Sequence, residues 1–289
     1  MNAEILVIIV TFNGMEWMER CIASVRSSSL PADILVIDNG STDGTREWLR
    51  EKGVEVIYSE SNVGFGAANN IGMQRALEEG YSFVYLLNQD AWVFPDTFRL
   101  LADAFYSTGG YGILSPVQYD GGGKKMDRQF AKRCGKYLKA QKDTPIVEVP
   151  FVMAAHWMIS RGCLLQTGGF SPAFRQYGED DNYIHRAKWN GYKCGVVRAT
   201  GAVHDRAGRQ PGAEKRMFLK CNGSVARVSK PQCFAFLRLL WETVRLALTG
   251  CVNFSKEPFR FIGTLWKRYP ELMDYRRKSR KKGAFLKVD

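Results

Sequence analysis

No window of 18 apolar residues free of charge occurs in this 289-residue chain, which excludes a simple membrane-spanning helix. The apolar run after Glu4, Ile5 to Val10, is too short for the core of a signal peptide and reads as a first strand. Seven cysteines, an odd number, are scattered without any C-x-x-C pair. That argues against a disulfide framework or a zinc ribbon and for a reducing compartment. No glycine- and lysine-rich loop follows the first strand, where Thr11-Phe12-Asn13-Gly14 stands instead. The G-x-G at Gly64-x-Gly66 lacks its third glycine, since Asn69 holds that place. It also does not follow the first strand, so a dinucleotide fold is not indicated. Acidic residues are scarce in one region only. Residues 1–200 hold 21 Lys and Arg against 22 Asp and Glu, and residues 201–289 hold 20 against 7. The net charge of +12 therefore marks a local surface rather than the whole chain.

What is present is a chain 45% hydrophobic and 12% aromatic, ample for one large core. Glu4 to Phe12, Ile34 to Ile37, Val54 to Tyr58 and Ser82 to Leu87 read as short buried strands. Between them, Met15 to Ser27 has helical spacing at Trp17, Cys21 and Val25. A helix to Glu51 follows the turn cluster Asp38 to Asp43, and another runs from Gly66 to about Glu79. Pro95 is expected to open the next helix at its first position. Strands alternating with helices predict an α/β fold, a mostly parallel, doubly wound sheet flanked by helices. Right-handed crossovers then put every strand's C-terminal end at one rim. Thr11, Asp38 and Asp90 lie at such ends, and open α/β sheets bind ligands there. A carboxylate such as Asp90 is a hard oxygen ligand suited to Mg²⁺ or Mn²⁺ carrying a phosphate.

Further along, Ile113 to Val117, Val147 to Met153 and Cys194 to Arg198 read as strands, and Arg161 to Thr167 as a short helix stopped by Gly168. Residues 120–143 are glycine-rich and then basic, from Lys124 to Lys142. They predict an exposed loop with a short helix, or a flap facing a substrate phosphate. Gly178-Glu179-Asp180-Asp181 opens a helix. Three adjacent carboxylates exceed what capping requires, and their crowding raises at least one pKa toward the range of a base. His204 follows a strand whose end points to the same rim.

From about Gln210 the pattern becomes helical. Phe234 to Leu248 carries a narrow polar stripe of Arg238, Glu242 and Arg245 on an otherwise apolar helix, which belongs in a core or in a membrane interface. Phe254, Phe259, Phe261, Trp266 and Tyr269 are interleaved with Lys256, Arg260, Lys267 and Arg268, and Arg276 to Lys282 is basic at six of seven positions. Aromatics beside cations suit lipid headgroups.

The motifs Val10-Thr11-Phe12-Asn13, Asp38 to Asp43, Asn62 to Asn69, Leu87-Asn88-Gln89-Asp90, Gly168-Gly169-Phe170 and Gly178-Glu179-Asp180-Asp181 occur in an order that resembles the family 2 nucleotide-sugar glycosyltransferases of GT-A fold, on the rhamnosyltransferase-like branch. The resemblance spans roughly residues 4–206. It implies a catalytic domain over 1–206 and a basic, aromatic helical extension over 207–289 that faces membrane or acceptor. It implies donor-binding roles for Thr11, Asn13, Asp38, Asn69, Asn88 and Asp90. It implies a divalent cation, Mg²⁺ or Mn²⁺, at Asp90 and His204, and a catalytic base at Asp180 or Asp181. Asn88 stands where such enzymes carry the first metal-motif carboxylate, and Asn182 where they carry a later acid. The implied reaction is inverting transfer from a nucleoside-diphosphate sugar to a lipid-linked or polysaccharide acceptor in surface glycan synthesis. The implied place is the cytoplasm, peripheral at the inner face of the cell membrane, on an anionic membrane surface. Two rivals are a sugar nucleotidyltransferase and a non-catalytic basic module binding membrane or nucleic acid. The first wants a glycine- and base-rich loop that the first strand lacks. The second does not explain why the charge is confined to one third of the chain, and no nucleic acid is expected as a partner.

Overall fold

The computed structural model describes residues 4–206, 212–232 and 234–288. Its first strand, β1 (Ile5–Thr11), is buried along almost its whole length. A run of β-branched residues covered on both faces is what the centre of a parallel sheet requires. Helix α1 (Met15–Arg26) then turns Met18, Cys21, Ile22 and Val25 inward, the spacing of a single helical face. The chain continues through β2 (Asp33–Asp38), α2 (Thr45–Glu51), β3 (Glu55–Tyr58), α3 (Phe65–Glu78) and β4 (Phe83–Asn88). Next come β5 (Ala91–Val93), α4 (Thr97–Ser107), β6 (Tyr111–Tyr119), α5 (Arg128–Ala140), β7 (Ile146–Glu148) and β8 (His156–Ser160). Helices α6 (Arg161–Thr167) and α7 (Glu179–Trp189) and strand β9 (Lys193–His204) follow. Helices α8 (Ala213–Val228), α9 (Ala235–Val252) and α10 (Glu257–Lys278) form the extension.

The strands make one sheet in the order β3-β2-β1-β4-β8-β6-β9-β5, with β7 also on β9. The alternating half predicted from sequence, β3-β2-β1-β4, is parallel throughout. Beyond β4 the sheet is mixed: β8 is antiparallel to its neighbours, whereas β6 and β9 run parallel. Register places the site. Thr11 pairs with Asp38 across β1 and β2, and Val10 with Asn88 across β1 and β4, so three strand ends stop at one level. Strand β5 then pairs antiparallel with β9, setting Ala91 opposite His204.

One apolar layer packs α1 and α4 on the sheet, with Met18, Ile22, Phe98 and Leu101 at its centre. The opposite layer packs α3, α5, α6 and α7 around Met73, Phe130, Trp157, Phe170 and Tyr183. A third core joins Ala173 and Phe174 to α8, α9 and α10 through Val225, Leu239, Leu246, Leu265 and Leu272.

Several sequence expectations change. Pro95 precedes Asp96, the N-cap of α4, and does not open the helix. Residues 120–143 are not mainly loop. They hold a thirteen-residue helix, α5, capped by Asp127, which accepts a hydrogen bond from the Phe130 N–H at 2.8 Å. Phe130, Cys134 and Leu138 anchor α5 at i, i+4 and i+8, which does not suit a mobile flap. The strand expected over Val147 to Met153 stops at Glu148, and the one expected over Cys194 to Arg198 runs on to His204. The basic tail is not free. After α10 the chain returns to the catalytic half, where the Gly169 N–H donates to Ala284 O at 2.8 Å and the Lys287 N–H to Gln74 Oε1 at 2.7 Å. The boundary drawn between residues 206 and 207 meets residues 207–211, which lie outside the described residues.

Candidate active site

A cleft of about 860 Å³ opens at the C-terminal rim of the sheet. Val10, Phe12, Asn39, Asn62, Gly64, Phe65, Asn88, Gln89 and Asp90 line it from the sheet and the loops after its strands. The far wall comes from the loop Ala173, Arg175, Gln176 and from Phe218, Asn222, Phe261, Thr264 and Arg268 of α8 and α10. The extension thus completes the cleft.

Beneath the rim lies a hydrogen-bonded floor. The buried Thr11 hydroxyl donates to Gln89 Oε1 at 2.8 Å, and so does the Phe12 N–H at 2.8 Å. Asp38 is fully buried and receives the Arg46 Nε at 2.6 Å and the N–H groups of Gly40 and Ser41 at 3.3 Å. Asn13 ties this loop to the first. Its N–H donates to Ser41 Oγ at 2.9 Å, and its Oδ1 accepts from Thr42 N–H at 2.8 Å. Gly14 is required by this crowding, since a Cβ there would sit 2.3 Å from Thr11 Oγ1. Gly64 is required for two reasons: its φ is +92°, and a Cβ would stand 2.3 Å from Arg175 O.

The sequence candidates sort accordingly. Asn88 and Asp90 line the cleft, whereas Thr11 and Asp38 build its floor and Asn13 braces two loops. Asn69 does not reach the cleft wall. It is buried in α3, where its Nδ2 donates to Phe65 O at 2.9 Å. His204 approaches Asp90, with Nε2 3.5 Å from Asp90 Oδ1, although the two are 114 positions apart in the sequence. His156 fixes that end of β9 by bonding Val203 O through Nε2 at 3.0 Å and the Tyr85 hydroxyl through Nδ1 at 2.9 Å. Burial pushes the His156 pKa down to about 3, so it stays neutral.

Asp180 and Asp181 stand in the first turn of α7 and do not line the cleft; the segment leading into them does. Burial, reinforced by Glu179 and Asp181, holds the Asp180 carboxyl well above the usual carboxylate range. Burial also raises Glu179, with help from Asp181, to about 7. Asp181 is raised by burial, while Arg133, Arg227 and Lys230 pull it back. Asn182 points elsewhere, donating to Ser229 Oγ at 3.1 Å and accepting from Arg186 Nε at 3.1 Å. It ties α7 to the end of α8.

A divalent cation would find donors here. Asp90 supplies a carboxylate and His204 an imidazole, and Asn88 Oδ1 and His204 Nδ1 are buried without a partner. Among the described residues no group of three or more His, Cys, Asp or Glu is arranged so that it could hold a metal ion. Two protein ligands with an amide oxygen nearby suit a hard cation that takes its remaining ligands from phosphate and water.

Sequence reasoning missed Arg46, His156 and Arg175. Arg46 and Arg175 lie in no pattern that marks them, and His156 sits in a strand that was not predicted. Arg268 reads from sequence as a headgroup contact, but it lines the cleft and donates to Ala173 O at 2.8 Å.

The glycosyl transferase family 2 model matches residues 6–167. The chain belongs to that family. A low-salt glycan biosynthesis hexosyltransferase of Haloferax volcanii is 24% identical over 212 residues, 70% of this chain and 67% of that protein. An N-acetylglucosaminyl-diphospho-decaprenol L-rhamnosyltransferase of Mycobacterium tuberculosis is 24% identical over 241 residues, 72% of this chain and 78% of that one. Among solved structures, a Pyrobaculum calidifontis mannosyltransferase in complex with GDP-Man and Mn²⁺ gives a TM-score of 0.56 at 17% identity, covering 96% of this chain and 74% of that chain. TarS of S. aureus, residues 1–349 with UDP-GlcNAc, gives 0.58 at 14%, covering 95% and 79%. This family 2 chain therefore has the GT-A fold predicted from its motifs, and it is an enzyme of glycosyl transfer.

Proposed function

We propose that this enzyme moves a sugar from a nucleoside diphosphate to a lipid-linked saccharide or polysaccharide acceptor, with inversion at the anomeric carbon. The observation that carries the reading is the approach of His204 to within 3.5 Å of Asp90, a residue that lines the rim cleft. The donor's base lies over the floor built by Thr11 and Asp38. Its diphosphate faces Asp90, with Arg175 and Arg268, which line the same cleft, as counter-charges. Asp90 and His204, with the unpartnered Asn88 Oδ1, would hold a divalent cation, which would supply Lewis-acid stabilisation of the leaving diphosphate. The acceptor oxygen attacks the anomeric carbon, the bond to the β-phosphate oxygen breaks, and the acceptor proton passes to a carboxylate. We assign that base to Asp180. Its raised pKa increases its basicity, so turnover rises with pH as Asp180 loses its proton. The relatives named for glycan and decaprenol-linked sugar transfer support a lipid-linked acceptor, hence work at a membrane surface on the cytoplasmic side. No helix among the described residues is long and apolar enough to cross a membrane.

A thermal-shift panel of nucleoside-diphosphate sugars, with and without Mn²⁺, tests the reading, because a ligand selective for the folded state raises its stability. One or more members should raise the melting temperature only when Mn²⁺ is present. A panel in which none does so overturns it.

A further inference from the structure

Helix α9 is apolar on two faces. Ala235, Leu239, Leu246 and Gly250 fill the seam against α8 and α10. On the other side Leu237, Trp241, Val244, Leu248 and Val252 form a second stripe at i, i+4, i+7, i+11 and i+15 that is left exposed by the described residues. Leu237 is 62% exposed, Trp241 60%, Leu248 61% and Val252 76%. The helix has eighteen residues, and from Leu237 to Val252 the stripe runs about 22 Å along it. Aromatics end it and edge it: Phe234 and Phe254 at its two ends are almost fully exposed, and Phe236, Phe259 and Trp266 flank it half-exposed. An apolar patch of this extent on a monomer marks a contact surface. We propose that this face of α9 inserts into the interface of an anionic lipid bilayer, an inference that rests on the membrane-surface acceptor proposed above.

Charge selects the occupant. Residues 201–289 carry 20 basic and 7 acidic side chains. Four of those acids are already engaged inside the extension: Glu242 by Arg227, Arg238 and Arg245, Glu257 by Arg260, Glu271 by Arg268, and Asp274 by Arg277 and Lys278. Lys256 and Lys267 stand exposed beside the exposed aromatics. A second copy packed face to face across α9 would set this positive excess against itself, because a two-fold interface repeats the same patch. An anionic leaflet complements it, and aromatic side chains at the ends of the stripe suit the headgroup level. The two signals together, apolar insertion and basic attraction, give stable yet reversible anchoring. Orientation follows, because α10 packs on α9 and also lines the cleft. The cleft then opens close to the leaflet that holds a lipid-linked acceptor.

The full chain should co-sediment with vesicles of equal phosphatidylglycerol and phosphatidylcholine, and far less with phosphatidylcholine alone. Brominated lipid should quench its tryptophan fluorescence, and Trp241→Phe should bind normally with less quenching. The double variant Trp241→Glu with Leu248→Glu should bind the mixed vesicles about 100-fold more weakly or worse. Its circular dichroism and nucleotide-dependent thermal shift should be unchanged, and it should still transfer sugar to a short-chain, water-soluble acceptor. Unchanged vesicle binding by the double variant overturns the proposal. So does a dimer in sedimentation velocity that the same substitutions split, which would give the face to a second copy. Vesicle binding lost with the double variant, in an enzyme that accepts no lipid-linked acceptor, supports the α9 face and overturns the acceptor reading alone.

Discussion

Glu179 offers the sharpest test of the electrostatics around α7. Its carboxyl is buried, its Oε2 has no partner, and Asp180 and Asp181 follow it directly. In the folded chain its pKa rises from 4.5 to about 7. A carboxyl raised on folding holds its proton longer in the native state than in the unfolded one. Its stabilising effect is therefore complete below the unfolded pKa and is lost as pH rises through the folded one. Over that interval the loss approaches about 3 kcal/mol at 1.36 kcal/mol per unit. For a chain of this length that corresponds to roughly 5 °C in melting temperature. Differential scanning fluorimetry of the free enzyme from pH 5 to pH 8, wild type beside Glu179→Gln, reads it directly. The wild type should lose ground steadily to the variant, and the gap should level off near pH 8. A gap that does not change with pH would refute the assignment, because a purely steric effect of the substitution has no such slope.

Asp180→Asn keeps shape and removes basicity, so kcat should fall by roughly 10²–10⁴-fold while donor affinity holds; normal turnover with a dead Asp181→Asn would reverse the two roles. Asp90→Ala should abolish the Mn²⁺-dependent part of the thermal shift given by a nucleoside diphosphate, and a shift that survives intact would remove Asp90 from the cation site. Glu242 is fully buried between Arg227, Arg238 and Arg245, with its nearest contacts at 2.6 Å. Glu242→Gln leaves those partly exposed cations without their carboxylate and should cost about 1–3 kcal/mol in urea unfolding, and a loss below about 0.5 kcal/mol would mean the network contributes little.

Much of the rim was legible because parallel strands are buried on both faces and announce themselves as apolar runs that stop at polar residues. Thr11, Asp38 and Asp90 fall at or just past such stops, and the register puts Thr11, Asp38 and Asn88 at one level, with Asp90 two residues on. His204 could be placed beside Asp90 only through the motif order, because the antiparallel pairing of β5 with β9 that joins them involves a three-residue strand. Asn69 matched a motif but spends its amide inside its own helix, which no periodicity reveals. Helix α5 was hidden because only Phe130, Cys134 and Leu138 are apolar anchors amid many lysines and arginines. Arg175 and Arg268 could not be read at all as cleft residues. They meet there because α10 folds back over the catalytic half, a tertiary event with no local signature.

The account turns on whether Asp90 and His204 share a cation with the donor's diphosphate. Crystals grown with Mn²⁺ and a uridine, thymidine or guanosine diphosphate, measured at a wavelength where manganese scatters anomalously, answer it. One strong anomalous peak should lie within bonding distance of an Asp90 carboxylate oxygen, a His204 imidazole nitrogen and the β-phosphate. Nucleotide bound in the cleft with the peak absent there, or with manganese held by other residues, would contradict the account.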